Sequence, residues 1–224
     1  CDPTLPVFST APYNNLHKTT EETGFTHKVN LTWKFDEDRM FYGTWSTGYR
    51  PGGINRRGTL PPYGSDFLTN YELGWKTMWF DRSVRWNGAV YLERWDDFQF
   101  SILGANGLTE IKNAAQARIR GIETDVVWRP TEGLTISAGG AWTEAELTAN
   151  YCGFTTPTGT PVTQCAVPQA PKGTELPVTP RFKGNLTVRY EFMLGDFDAH
   201  VQGSMVNQTD AWTDLRLVER AIIG

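Results

Sequence analysis

The chain has 224 residues, of which 39% are hydrophobic and 13% aromatic, with nine tryptophans and a formal net charge of −4. Mean hydropathy is −0.42 and no run of 18 apolar residues occurs, which excludes a membrane-spanning helix. It does not exclude spanning strands, whose alternation keeps the average low. A pI near 5.4 and the lack of a basic block argue against nucleic acid as a partner.

Residues 1–25 are polar and lack the apolar core of a signal peptide, so the reading is of an exported protein that is mature or cut. The first strand is expected over Thr26–Phe35. Val29, Leu31, Trp33 and Phe35 fall on one face, and Lys28, Asn30, Thr32 and Lys34 on the other. Asp36-Glu37-Asp38 turns the chain into a strand over Arg39–Arg50. Tyr71, Leu73, Trp75, Thr77 and Trp79 alternate with polar or small residues, Asp81-Arg82-Ser83 reverses the chain, and Val84, Trp86, Gly88, Val90 and Leu92 continue the pattern. Ile122–Trp128 and Leu134–Trp142 flank the turn Arg129–Gly133. Phe182–Phe192 and Phe197–Met205 flank a turn near Leu194-Gly195-Asp196. This makes eight strands, with a ninth expected near Asp214.

The connections alternate too. Turns at 36–38, 81–83, 129–133 and 193–196 are short, whereas 51–66, 97–110 and 148–180 are long. Short turns at one end and long loops at the other mark an outer-membrane barrel. Charged faces (Lys28, Lys34, Glu72, Lys76, Arg85, Glu93, Arg181, Lys183, Arg189, Glu191) require water. Trp33, Phe35, Trp79, Trp86, Trp128, Tyr190, Phe192 and Phe197 gather beside the short turns, where an interfacial aromatic girdle belongs. The expected fold is therefore all-β: antiparallel up-and-down strands of a transmembrane barrel.

Cys152 and Cys165 lie in one Pro/Thr/Gly-rich segment. Paired, they would close a loop of about 14 residues with roughly 3 kcal/mol of chain-entropy stabilisation; the alternative is two free thiols. Cys1 has no evident partner.

The run Phe41-Tyr42-Gly43-Thr44-Trp45-Ser46-Thr47-Gly48-Tyr49-Arg50-Pro51-Gly52-Gly53-Ile54-Asn55 resembles a strand of TonB-dependent receptors that rises into a ligand-side loop. Asn70-Tyr71-Glu72-Leu73-Gly74-Trp75-Lys76, Trp86–Tyr91, Trp95–Gln99, Asn113-Ala114-Ala115 and Gly121-Ile122-Glu123 continue the likeness in order. It is best over 26–148, with 148–180 as a long extracellular loop, and looser over 181–220. The resemblance implies a bacterial outer-membrane location and about eight or nine strands of a 22-stranded barrel enclosing a plug. It also implies TonB-driven uptake of a scarce nutrient such as a ferric siderophore. No plug, TonB-contacting segment or closing strand is recognisable, so residues 1–224 read as a partial barrel domain that depends on the missing plug region for TonB.

Arg50, Asn55, Arg56 and Arg57 are the candidate ligand contacts, since guanidinium groups suit carboxylate- or catecholate-rich anions. The competing reading has loop arginines solvated or bound to lipopolysaccharide phosphates, lipid being a further expected partner. Gly48, Gly52 and Gly53 serve backbone geometry. His17, His27 and His200 lack metal-ligand spacing, Asp96-Asp97 reads as a loop edge, and no nucleotide fingerprint occurs. No catalytic residue, metal or cofactor is expected. Two alternatives remain: a self-contained eight-stranded barrel acting as a pore or structural protein, and a soluble carbohydrate-binding β-domain. The side on which residues 1–25 enter argues against the first.

Overall fold

The computed structural model describes residues 19–55, 62–103, 109–114, 116–156 and 160–224. Eight long strands form one antiparallel sheet: β1 (Lys28–Lys34), β2 (Arg39–Arg50), β3 (Asp66–Trp79), β4 (Val84–Asp96), β7 (Gln116–Thr131), β8 (Leu134–Leu147), β9 (Phe182–Leu194) and β10 (Phe197–Gln208). Every strand pairs with its neighbour in this order. Among the described residues β1 and β10 do not pair with each other, so the sheet is open. Two small hairpins stand apart: β5 (Gln99–Leu103) with β6 (Thr109–Asn113), and β11 (Ala211–Trp212) with β12 (Ile222–Ile223).

Register carries the alternation across the whole sheet. Leu31 pairs with Gly43, Gly43 with Leu73, Leu73 with Val90, Val90 with Ile122, Ile122 with Trp142 and Trp142 with Phe182. This apolar row faces outward; Leu31 is 76% exposed and Leu73 64%. A continuous exposed face of this kind needs a lipid solvent. In a soluble β-domain it would be buried, so the carbohydrate-binding alternative fails. The eight aromatics beside the short turns are likewise exposed. The opposite face carries Thr44, Glu72, Lys76, Asn87, Glu123, Asp125 and Lys183 toward the lumen.

Where a side chain is missing, a ring fills the gap. A Cβ on Gly88 would meet the Trp75 ring at 2.3 Å, and one on Gly121 would meet the Tyr91 hydroxyl at 2.6 Å. Cross-strand aromatics thus cover the bare backbone of two strand glycines.

Three of the four short turns use left-handed residues. Phe80, Asp81 and Arg82 have φ of 53°, 53° and 65°, and Gly133 and Gly195 have φ of 76° and 64°. Arg82 Nε donates to Asp38 Oδ1 at 2.7 Å, tying two turns together.

Two expectations need correction. The ninth strand near Asp214 does not join the sheet. Asp214 accepts hydrogen bonds from the Arg216 backbone and guanidinium, which curls the chain, and past β10 only the two-residue strands Ala211–Trp212 and Ile222–Ile223 are extended. Segment 97–110 is not a plain loop either, because it contains most of the β5–β6 hairpin.

Candidate functional site

The apolar core lies at the long-loop end rather than in the wall. Trp95, Ala117, Ile119, Ala145 and Leu147 face inward from β4, β7 and β8. Phe98, Tyr151, Ala170, Leu176 and Leu215 descend on them from the loops. Phe100 meets Tyr151 edge-on, with ring centroids 4.9 Å apart. The loops thereby form a packed cap on the lumen side of the upper sheet.

Buried polar groups join this cap to the strands. Asp66, at the start of β3, is 1% exposed. It accepts from Arg50 Nε at 3.1 and 3.0 Å, from Arg50 Nη2, and from the backbone of Arg50 at 3.2 Å and Gln99 at 2.9 Å. Arg50 Nη2 also reaches Gln99 O at 2.9 Å, and the guanidinium lies 5.0 Å over the Trp95 ring. Gln99 Nε2 donates to Pro51 O and Gly64 O, both at 3.0 Å. Asn113 Nδ2 donates to Gly64 O at 2.9 Å and Asp97 O at 2.6 Å, while its Oδ1 accepts from Gly64 N at 2.8 Å. Asn55 forms a matching pair with Ile111: Nδ2 to the carbonyl at 2.9 Å, and Oδ1 from the amide at 2.8 Å. These amide side chains act as short lengths of strand and zip Pro51, Asn55 and Gly64 to the β5–β6 hairpin.

Gly52 and Gly53 fit this joint because the backbone approaches closely. A Cβ on Gly52 would lie 2.5 Å from the Tyr63 carbonyl, and Gly53 pairs with Tyr63 in an isolated bridge. Asp97 sits here with φ of 52°. Burial raises its pKa above the usual carboxylate range, and the charges of Asp96 and Asp66 add to the effect. Asp96 points outward and accepts from Gln116 Nε2 at 3.0 Å.

The second half of the cap is the 148–180 connection. Cys152 and Cys165 are disulfide-bonded, with Cα atoms 6.1 Å apart. Tyr151 N donates to Ala170 O at 2.7 Å, and Leu176 N to Ala145 O at 3.0 Å. The 209–221 segment straps this connection: Val178 N donates to Trp212 O at 2.7 Å, and Leu217 N to Gln169 O at 3.0 Å. Glu175 receives Trp212 Nε1 at 3.0 Å and Arg181 Nε at 2.8 Å, and Arg220 stacks 3.9 Å over Trp212. Burial pushes the Tyr151 phenol pKa up. Burial also works to raise Asp214, but hydrogen bonds and charge from Arg216 outweigh it and hold the carboxyl below its ordinary value.

Two concavities follow. One, of about 230 Å³, lies between the loops, against Pro62, Tyr63, Lys112, Gly153, Phe154 and Thr155. It is smaller than a whole-ligand site and suits one moiety. The other, about 560 Å³, hollows the lumen wall beside Lys76, Asn87, Glu123, Asp125, Lys183 and Asn185.

Of the residues singled out in the sequence, Arg50 and Asn55 meet at the same joint, and both are bonded into it. Arg56, Arg57 and Cys1 lie outside the described residues. Asp66, Gln99, Asn113 and Tyr151 were not anticipated. Gln99 and Asn113 lie in motifs that carry the family resemblance, though no site role was read for them, and Asp66 and Tyr151 had no signal beyond lying near strand ends. Among the described residues no group of three His, Cys, Asp or Glu could hold a metal ion.

A family model described as TonB dependent receptor-like, beta-barrel matches residues 7–219. Three solved structures share the fold. The ferric yersiniabactin uptake receptor FyuA of Yersinia pestis has a TM-score of 0.66 at 17% identity, over 88% of this chain and 28% of that one. The siderophore receptor PiuA of Acinetobacter baumannii has 0.62 at 20%, over 85% and 26%. BauA, the ferric preacinetobactin receptor of the same organism, has 0.60 at 16%, over 85% and 26%. The chain thus spans about a quarter of the length of the receptors it matches. With its lipid-facing strands, charged lumen wall and capped long-loop end, it belongs to the TonB-dependent receptor β-barrel family of the bacterial outer membrane.

Proposed function

We propose that this chain supplies part of the barrel wall and extracellular vestibule of a receptor that takes up a ferric siderophore, driven by TonB. The observation that carries this reading is the cap. Phe98, Tyr151, Ala170, Leu176 and Leu215 pack over the lumen side of the upper strands, held by buried hydrogen bonds and a disulfide, with a cavity beside Pro62, Tyr63 and Phe154. The structural neighbours include a siderophore receptor and receptors for ferric yersiniabactin and ferric preacinetobactin, which supports this reading. The chemistry is binding and passage rather than catalysis.

In this reading Arg50 and Asn55 set the loop joint, while Arg56 and Arg57, which follow directly, reach an anionic ferric chelate. Arg50 keeps Nη1 for the same purpose, since its bonds use Nε and Nη2. The plug and the TonB contact belong to segments other than these strands. The self-contained eight-stranded barrel is disfavoured because β1 and β10 are not paired.

The test is uptake of radiolabelled ferric siderophores by iron-starved cells carrying the full-length gene, with and without TonB. Arg56→Ala with Arg57→Ala is expected to weaken binding about tenfold, as loss of charge-assisted contacts does. Uptake that persists without TonB, or no saturable binding of any ferric chelate, would overturn the proposal.

A further inference from the structure

The outward face changes character abruptly toward the loops. On β4, β7 and β8 the row Val90–Ile122–Trp142 is wholly apolar. The next row outward is Leu92–Arg120–Glu144, and the one after it Arg94–Arg118–Glu146. Four residues along a strand span roughly 13 Å, or about 10 Å along the membrane normal at a 45° tilt. The headgroup zone begins where the hydrocarbon ends and is about 5–8 Å deep on each side. The two charged rows therefore bracket the depth of headgroup phosphates.

Within these rows the charges are unevenly matched. Arg120 donates to Glu144 at 3.1 and 2.6 Å, and Arg118 donates to Glu146. Arg94 is exposed and has no hydrogen bond or ion pair among the described residues. It nevertheless stands directly opposite Arg118 in register. Like charges facing each other across two strands, with Cβ atoms about 5 Å apart, repel. Arg118 Nε is itself buried without a partner. An anion between the two guanidinium groups would turn the repulsion into two charge-assisted contacts, and phosphate matches their fork geometry.

We propose that Arg94 and Arg118 form an outward-facing site for a phosphate of an outer-leaflet glycolipid at the rim of the apolar band. Glu144 and Glu146 flank the pair on the β8 side, and the outward Asp96 lies one row above it on β4. The acyl chains of such a lipid would lie against Val90, Ile122 and Trp142, directly below. The site is separate from the cap, which occupies the other face of the same strands.

The experiment uses the full-length protein, delipidated in detergent and titrated with bisphosphorylated lipid A, phosphate-free lipid A of the same acylation, and inorganic phosphate. Wild type is expected to bind the bisphosphorylated form about tenfold more tightly than the phosphate-free form. The double variant Arg94→Gln, Arg118→Gln should lose that preference and keep the weaker apolar binding, while Arg94→Lys with Arg118→Lys, which keeps the charge but not the fork, retains part of it. Heat-modifiable migration on gels shows that each variant has folded. Equal phosphate preference in wild type and the Gln variant overturns the proposal, as does inorganic phosphate competing at the same concentration as the lipid. Loss of all lipid A binding, phosphate-free included, would instead count against the lipid-facing assignment of the band on which the proposal rests.

Discussion

Asp66 concentrates the most structure per residue. Its buried carboxylate holds Arg50 and the first residue of β5, which come from 16 residues before it and 33 after it. Breaking a buried ion pair by neutralising one partner costs about 3–5 kcal/mol. Half of the Arg50 side chain is exposed, so solvent reduces the expected loss to roughly 2–3 kcal/mol. Asp66→Asn should leave the barrel resistant to heat and detergent but expose residues 51–65 and 97–114 to protease. Cleavage at the wild-type rate would show that the carboxylate is dispensable. Asp97 makes a second, pH-dependent prediction. Its folded pKa is raised by burial, then by Asp96 and Asp66, so the protonated form favours the folded joint. The contribution is fully present below the unfolded carboxylate pKa and is lost as pH rises through the raised value. Hydrogen exchange in the β5–β6 hairpin should therefore slow on acidification beyond its intrinsic pH dependence, and Asp97→Asn should abolish the extra slowing. A hairpin whose protection is the same function of pH in both proteins would rule this out. Neither role was legible in the sequence. Burial of Asp66, Asn113 and Gln99 arises only when connections far apart in the chain meet.

At the level of elements the sequence was far more informative. Period-two alternation located seven of the eight sheet strands, because each has one lipid and one aqueous face and a register slip would exchange them, and the turn at 36–38 located the other, Arg39–Arg50. Turn chemistry located the reversals for the same local reason. The β5–β6 hairpin escaped notice because its strands are only five residues long and polar residues such as Glu110 and Asn113 are buried in it, which blurs the apolar–polar alternation. The strand expected near Asp214 was misread because Leu215 is buried in the cap core, not in a sheet row. The disulfide acts on one such element. By the chain-entropy relation, a loop of 13 or so residues held by Cys152–Cys165 is stabilised by about 3 kcal/mol. Replacing both cysteines with serine should loosen the 148–180 connection, seen as faster protease cleavage near Phe154 and Val167, which are already exposed. The strap at Trp212 and the contacts of Leu147 should keep the rest of the cap in place. Loss of protection across the β5–β6 hairpin as well would mean that the cap is one cooperative unit instead of two.

For the molecule as a whole, the two open edges decide what the sheet can do in a membrane. All seven residues of β1 are exposed, as are all but one of the twelve residues of β10. Their outward backbone groups have no strand partner among the described residues. In water such an edge is a template for aggregation, and in hydrocarbon each unpaired group costs several kcal/mol. Among the described residues β10 does not come round to pair with β1. A stable membrane state therefore requires further strands on both sides, supplied by covalent neighbours or by other chains. The 224 residues produced alone and refolded with detergent micelles should give no heat-modifiable monomer. They should instead aggregate or form oligomers whose size depends on concentration. The same strands within a full-length receptor should show heat modifiability and strand-typical protection from hydrogen exchange along β1 and β10. A monodisperse, heat-modifiable monomer of the isolated chain would mean that the sheet closes on itself, reviving the small-barrel reading and removing the reason to seek the ligand path in a larger lumen.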